Sequence, residues 1–226
     1  MATISFNDVK TKNRIYQFRI DIKGAKPPIW RRVQVEKNIT FHQLHAIIQN
    51  IFNWGNYHLH EFRISEKITV LDTKLESYEP MMDMPMFGGR QAPKEINEHD
   101  VKLNKYIKKI DDTINYDYDF GDGWEHTIKL EKILDLDSKK IYPSLITGKR
   151  VAPFEDSGDI WGWKDLCNLM EGKPVDMDEE YKKELLEHYP KFDPNDFGRE
   201  DINDINENFK EYKYDVFFED FLDFEE

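Results

Sequence analysis

From Arg14 the chain alternates. Tyr16, Phe18, Ile20 and Ile22 point one way, and Gln17, Arg19 and Asp21 the other, the period of two of a half-buried strand. Gly24-Ala-Lys-Pro-Pro ends the run, because prolines 27 and 28 have no amide to donate and suit a turn or the start of a strand. Alternation resumes at Ile29, with Ile29, Arg31, Val33 and Val35 opposite Trp30, Arg32, Gln34 and Glu36. Then the period changes. Leu44, Ile47, Ile48 and Ile51 fall at helical spacing over Thr40 to Phe52, and Thr40 with Gln43 has the spacing of a capping box. The opening order is therefore strand, strand, helix.

The clearest pattern lies at Asn115 to Ile133. Tyr116, Tyr118 and Phe120 share one face of a first arm, and Trp124, His126, Ile128 and Leu130 one face of a second. Asp117 and Asp119, then Glu125, Thr127 and Lys129, occupy the opposite faces. Gly121 and Gly123 bracket Asp122 and supply the freedom a tight turn needs. This predicts a hairpin with a polar tip of Asp119, Asp122, Glu125 and His126. Before it, Tyr57 to Ile64 reads as a strand with His58, His60 and Phe62 on one face, and Ile68 to Leu71 as its pair. Residues 72–100 read as irregular, with a methionine-rich loop at 81–90, and Leu103 to Ile107 as a helical turn. After the hairpin, 142–163 reads as loop. Helices follow around Trp163 to Met170, at 177–188 and at 199–211, and the end alternates aromatic and acidic residues. The expected fold is α+β: a mostly antiparallel twisted sheet built from the N-terminal hairpin, helix and central hairpin, with a C-terminal helical, acidic extension. The expected division is an α+β domain over 1–160, a helical extension packed on it over 161–211, and an acidic aromatic tail over 212–226.

Composition sharpens this. The 226 residues are 39% hydrophobic and 14% aromatic, enough for a sizeable core. The longest apolar run is far below the ~20 residues of a membrane span, and the N-terminus lacks a basic-then-apolar signal pattern. A lone cysteine, Cys167, has no internal disulfide partner and lies at core spacing with Trp163, Leu166 and Met170. A cytoplasmic protein is expected. Charge is uneven: residues 1–150 carry 24 Lys and Arg against 21 Asp and Glu, and residues 151–226 carry 8 against 24. Such an acidic end repels phosphate backbones at long range.

Several stretches together resemble one family. They are Tyr16-Gln-Phe-Arg-Ile, Lys26-Pro-Pro-Ile-Trp-Arg-Arg, Trp54 with His58-Leu-His-Glu-Phe, Tyr116-Asp-Tyr-Asp-Phe-Gly-Asp-Gly-Trp-Glu-His, and Tyr142-Pro with Gly148-Lys-Arg. The chain resembles, over residues 14 to 209, the ORF-three-like family named after a reading frame of a root-inducing plasmid. Some members are labelled passengers of insertion elements with a resolvase-like name. The resemblance implies a compact α+β fold and a mobile-element association, and little about activity. Members often carry cysteines where this chain has Leu145 and the run Val151 to Asp159, so a thiolate metal site there is excluded.

Metal binding is one candidate chemistry. His58 and His60 on one strand face, with Asp122 and Asp156, offer a nitrogen-and-oxygen ligand set; Asp119, Asp122 and His126 are the catalytic candidates. The alternative is that each histidine packs in the core, as its neighbours Trp124 and Ile128 suggest for His126. Asp119-Phe-Gly echoes the kinase magnesium motif without its companion motifs. Asp117 to Ile128 echoes a calcium loop, but Asp122 stands where glycine is required and Ile128 where glutamate is. Serine-recombinase chemistry is excluded, since Ser5 is the only serine before Ser65 and no basic helix-turn-helix appears. A basic and aromatic set remains as a binding candidate: Trp30, Arg31, Arg32, Trp54, Trp124, Lys149 and Arg150. Arg31, on the Val33 face, is an alternative buried partner for Asp119 or Asp122. Two functions follow. One is a non-catalytic module binding a protein or nucleic acid through the hairpin tip and the 81–90 loop, with no membrane partner. The other is a metal-dependent phosphoesterase-like hydrolase. No organic cofactor is expected; a divalent metal is the one that the residues admit.

Overall fold

The computed structural model describes residues 14–75, 78 and 92–215. The 81–90 loop and residues 216–226 of the aromatic tail lie outside them. The described strands are β1 (Arg14–Ile22), β2 (Trp30–Glu36), β3 (His60–Ser65), β4 (Ile68–Leu71), β5 (Lys94–Asn97), β6 (Thr113–Tyr118), β7 (Trp124–Asp135) and β8 (Ser144–Lys149). They form one sheet in the order β5-β4-β3-β6-β7-β1-β2-β8. Every pairing is antiparallel except β4 with β5. The four described helices are α1 (Phe41–Phe52), α2 (Ile160–Met170), α3 (Glu179–His188) and α4 (Arg199–Tyr212). The fold is α+β, as the patterning predicts.

Helix α1 starts at the predicted capping box, where Thr40 accepts from Gln43 N and Gln43 reaches back to Thr40 N. It ends at Asn53, whose left-handed backbone (φ 57°) is the usual helix stop. Its stripe of Leu44, Ile47, Ile48 and Ile51 packs in the same core as Phe18, Ile20, Val33 and Leu130. Most of its remaining residues are buried too, and Asn50 Nδ2 donates to Asp215 O at 2.9 Å beyond α4. Trp163, Leu166 and Cys167 of α2 and Phe209 of α4 belong to that core as well. Burial pushes the Cys167 thiol up to about 12, which suits a packed residue and not a nucleophile.

Two strands were hidden in the sequence. β8 lies inside the predicted 142–163 loop: among the described strands it pairs with β2 alone, Pro143 precedes it and Gly148 breaks its run of side chains. Its outer edge is covered by α4, where Asn206 accepts from Leu145 N at 2.8 Å and donates to Leu145 O at 2.9 Å. β5 lies in the predicted irregular stretch and takes its strand form from β4. β3, conversely, starts later than predicted. Asn56 takes φ 59° and Tyr57 N donates to Tyr118 Oη at 3.1 Å, so residues 57–59 leave the ladder.

Arg31 is buried at the β2–β8 crossing, far from the role of partner to Asp119 or Asp122. Its Nε donates to Ile51 O at 2.9 Å, and its Nη1 to the carbonyls of Trp30, Lys149 and Arg150 at 3.1, 3.3 and 2.9 Å. The Phe197 ring lies 3.6 Å from its guanidinium carbon. Gly148 is the residue opposite Arg31, and its lack of a side chain makes room for this stack. A Cβ there would stand 2.5 Å from Phe197 Cε1, 2.8 Å from Arg31 Cδ and 3.0 Å from Trp30 O. Gly148→Ala is therefore expected to destabilise by about 1–3 kcal/mol, read as a lower urea midpoint with unchanged slope. An unchanged midpoint would show that Phe197 and Arg31 yield without loss.

Candidate functional site

The hairpin tip is built by four segments. At the end of β6 the chain turns through Asp119, which takes φ 56°. This position, and not Gly121, uses the left-handed region, with Gly123 (φ 69°) closing the turn. Asp119 Oδ1 accepts from Gly121 N at 2.9 Å and Asp122 N at 3.3 Å, a side chain holding its own turn. The early turn swings Phe120 off the apolar face it was predicted to share, leaving it 58% exposed. Tyr116, Tyr118, Trp124, His126, Ile128 and Leu130 of that face are buried as predicted.

The second segment, 54–58, follows α1. Trp54 is buried against Tyr118, with ring centroids 5.0 Å apart, and its Nε1 donates to Pro153 O at 2.8 Å. The third, 153–158, is tied to both. Glu155 accepts from Gly55 N at 2.6 Å and also from Tyr118 Oη. Asp156 follows at φ 56°. The fourth contributes Tyr189, just after α3, which donates to Asp156 O at 3.1 Å and stacks on Phe154.

These segments bring His58, Asp119, Asp122 and Asp156 together. His58 Nε2 stands 3.3 Å from Asp156 Oδ1 and 3.7 Å from Asp119 Oδ2. Side-chain exposure rises from 9% at Asp119 through 27% at His58 to 74% at Asp156, so the cluster opens to solvent on the Asp156 side. One ligand atom from each of His58, Asp119 and Asp156 falls within a 4.8 Å group. Asp122 belongs to the same group electrostatically. Burial, then the charges of Asp119 and Asp156, push its carboxyl up, although Gly158 N donates to it. Its Oδ2 is buried with no hydrogen-bond partner among the described residues.

The other predicted residues go elsewhere. His60 does not share the site of His58. Its Nε2 bonds Glu98 Oε2 at 2.7 Å, and its ring stacks on His45 at 3.5 Å. His126 is wholly buried, with Nδ1 3.3 Å from Tyr116 O, out of reach of the catalytic role considered for it. Of the binding set, Arg31, Trp54, Trp124 and Arg150 are buried and Arg150 is bonded to Asn195, which denies a partner their side chains. Lys149 stays exposed. Trp30 and Arg32 lie on the outer face of β2, with the guanidinium carbons of Arg19 and Arg32 at 4.3 and 5.0 Å from the Trp30 ring centroid. Arg32 is also held by Glu131 at 2.6 and 2.8 Å.

Sequence reasoning missed Glu155, Tyr118 and Tyr189 at the tip, and a set of His42, His45, Glu98 and His99 beside α1. The i, i+3 spacing of His42 and His45 was the available signal; nothing in the sequence marks Glu98.

Two buried histidines are held neutral. Burial drives His126 down to about 3, and burial together with the neighbouring His60 ring drives His45 well below its ordinary value. An unfolded chain takes these protons near pH ~6.5. Below that pH the unfolded state binds more protons than the native state, so stability falls as pH falls, by ~1.4 kcal/mol per pH unit per histidine. Urea midpoints are expected to drop from pH 6.5 to 4, and His126→Phe to flatten the slope. A flat profile in the parent protein would contradict neutral burial.

A model of the family described as plasmid pRiA4b ORF-3-like protein matches residues 14–201. The chain belongs to this family. The uncharacterized protein y4hQ of Sinorhizobium fredii (strain NBRC 101917 / NGR234) is 29% identical over 157 residues, covering 69% of this chain and 73% of that protein. The crystal structure of a protein of unknown function, MM3350 from Methanosarcina mazei Go1, superposes with a TM-score of 0.67 at 32% identity, over 85% of this chain and 98% of that chain. The chain shares its fold with that structure, and these relatives' names assign no activity. Among the described residues no helix is long and apolar enough to cross a membrane.

Proposed function

We propose that the hairpin tip holds a divalent cation through His58, Asp119 and Asp156, and that the ORF-3-like chain is a metal-dependent hydrolase with Asp122 as the base. The observation that supports this reading is the convergence of Asp119 and Asp156 on the His58 imidazole, with Asp122 electrostatically coupled to all three, from three segments far apart in sequence. Three like charges at one place repel, and a cation of charge two relieves that repulsion while giving His58 a ligand role. A bound cation would acidify its water, and a carboxylate with a raised proton affinity beside it suits proton removal. Phosphoesters are the first substrates to test, because a cation offsets the charge that develops on both attacking and leaving oxygens.

The test is a melt of chelator-stripped protein with zinc, manganese, magnesium or calcium, followed by turnover of aryl phosphate mono- and diesters. At a hundred-fold excess over Kd a cation contributes ~2.7 kcal/mol, which for a chain of this size is roughly a 5–10 °C rise. No rise with any of the four ions would end the metal reading.

A second reading is the interaction module. Tyr57, Leu59 and Phe120 are 66%, 43% and 58% exposed on the segments that build the tip, apolar side chains suited to a protein partner. Metal binding without turnover, together with loss of a partner in Phe120→Ser, favours this reading.

A further inference from the structure

The histidines outside the tip also gather around a carboxylate. Glu98 is buried between β5 and α1. Its Oε1 meets His42 Nδ1 at 2.8 Å and its Oε2 meets His60 Nε2 at 2.7 Å. Burial alone would push this carboxyl up; the hydrogen bonds from His42 and His60 more than offset it and hold it below the usual carboxylate range. The next residue, His99, stacks its ring on His42 with centroids 3.9 Å apart, and Asp72 Oδ2 stands 3.4 Å from His99 Nε2.

Backbone bonds fix this arrangement before any ligand arrives. His42 N donates to Glu98 O at 3.3 Å, Glu98 N to Leu71 O at 3.0 Å, and His99 N to Asn97 Oδ1 at 2.9 Å. Asn97 Nδ2 in turn donates to Thr73 Oγ1 at 2.8 Å. So the turn after β5 is docked on both the end of β4 and the first turn of α1. His42 and His99 are each more than a third exposed at the side chain, at 40% and 36%, so an ion can reach them while Glu98 waits beneath.

We propose that His42, Glu98 and His99 form a second divalent-cation site, of the imidazole-and-carboxylate kind that zinc takes, with His60 and Asp72 supporting it from behind. One ligand atom from each of the three lies within a 4.8 Å group, and tetrahedral ligands at ~2.1 Å from zinc stand roughly 3.4 Å apart. A modest swing of the half-exposed His99 ring closes that difference. The ion replaces the proton shared by His42 Nδ1 and Glu98 Oε1. The supporting contacts are those metal sites use: a carboxylate behind a ligating imidazole, and a hydrogen bond on the free oxygen of a ligating carboxylate. This site stands apart from the hairpin tip and does not depend on it.

The experiment is a cobalt titration of the chelator-stripped full chain, followed by its visible absorption and back-titrated with zinc. Three proteins are compared: the parent, His99→Ala, and the double variant Asp119→Asn/Asp156→Asn. If both sites bind, the parent takes two equivalents and each variant one. If the tip does not bind, the parent and the double variant take one and His99→Ala none, which still supports the second site. His99→Ala with the parent's stoichiometry and affinity overturns the proposal, as does a double variant that takes none. Since His99 lies at the surface, its variant is expected to fold; a far-UV spectrum and melt equal to the parent's check this.

Discussion

In a His99→Ala background, which removes the second cation site, Asp119→Asn is expected to abolish the cation-dependent rise in melting temperature while leaving the metal-free protein as stable as its His99→Ala parent, or slightly more stable. The reason is a division of labour within one side chain. Oδ1 of Asp119 holds the turn through Gly121 N and Asp122 N, and Oδ2 faces His58. Asparagine keeps a carbonyl oxygen for the turn and replaces the other oxygen with an NH2 donor, which repels a cation. It also removes one of three crowded carboxylates. Loss of a direct ligand should exceed the roughly 10–100-fold affinity loss typical of supporting residues. Asp122→Asn is the contrasting variant. It is expected to keep the melting-temperature rise and to lose turnover by about 100-fold or more, the contribution of a positioned base. Calorimetric titration separates the two. In the His99→Ala background, equal cation affinity with and without Asp119→Asn would remove Asp119 from the site, and undiminished turnover in Asp122→Asn would remove the base.

Arg31→Ala is expected to cost about 3–5 kcal/mol, the range for breaking a buried charged network, or roughly 10 °C in melting temperature for a chain of this size. Four carbonyls, those of Trp30, Ile51, Lys149 and Arg150, share this one guanidinium. Burial lowers the Arg31 pKa to about 9, with Asp201 opposing, and it stays charged at neutral pH. Truncation leaves the carbonyls without their donor and opens a hole beneath Phe197. Lysine should recover only part of the loss, because one ammonium on a flexible stem cannot serve carbonyls on β2, β8 and the end of α1 at once. Urea unfolding of the three proteins at pH 7 is the measurement. A loss under 1 kcal/mol in Arg31→Ala would show that water reaches those carbonyls and replaces the side chain.

The sheet's antiparallel core was legible because local pattern and final environment agree there. The apolar face predicted for β1, β2, β6 and β7 is the buried face, although Gln17, Gln34 and Asp117 of the opposite face are covered as well, and the Thr40–Gln43 box marks the start of α1 in sequence and structure alike. Where the environment comes from distant segments, the pattern misled. β5 and β8 are edge strands whose partners supply their form, so their short, interrupted runs read as loop. Phe120 kept the parity of a strand face, yet Asp119 turns the chain one residue early.

The candidate site divides in the same way. Sequence alone placed Asp119 and Asp122 at a hairpin tip, since a turn between two alternating arms leaves no other place for them. It also named His58 and Asp156 as ligand types without a means of joining them. Only the tertiary structure decided that His58 leaves the strand it was expected to share with His60, that Glu155 and Trp54 tie the 153–158 loop to the tip, and that His60 belongs instead to Glu98. The physical reason is range. Side-chain parity and capping act over a few residues and are written locally, whereas the meeting of His58 with Asp119 and Asp156 depends on packing between segments that the chain separates by dozens of residues.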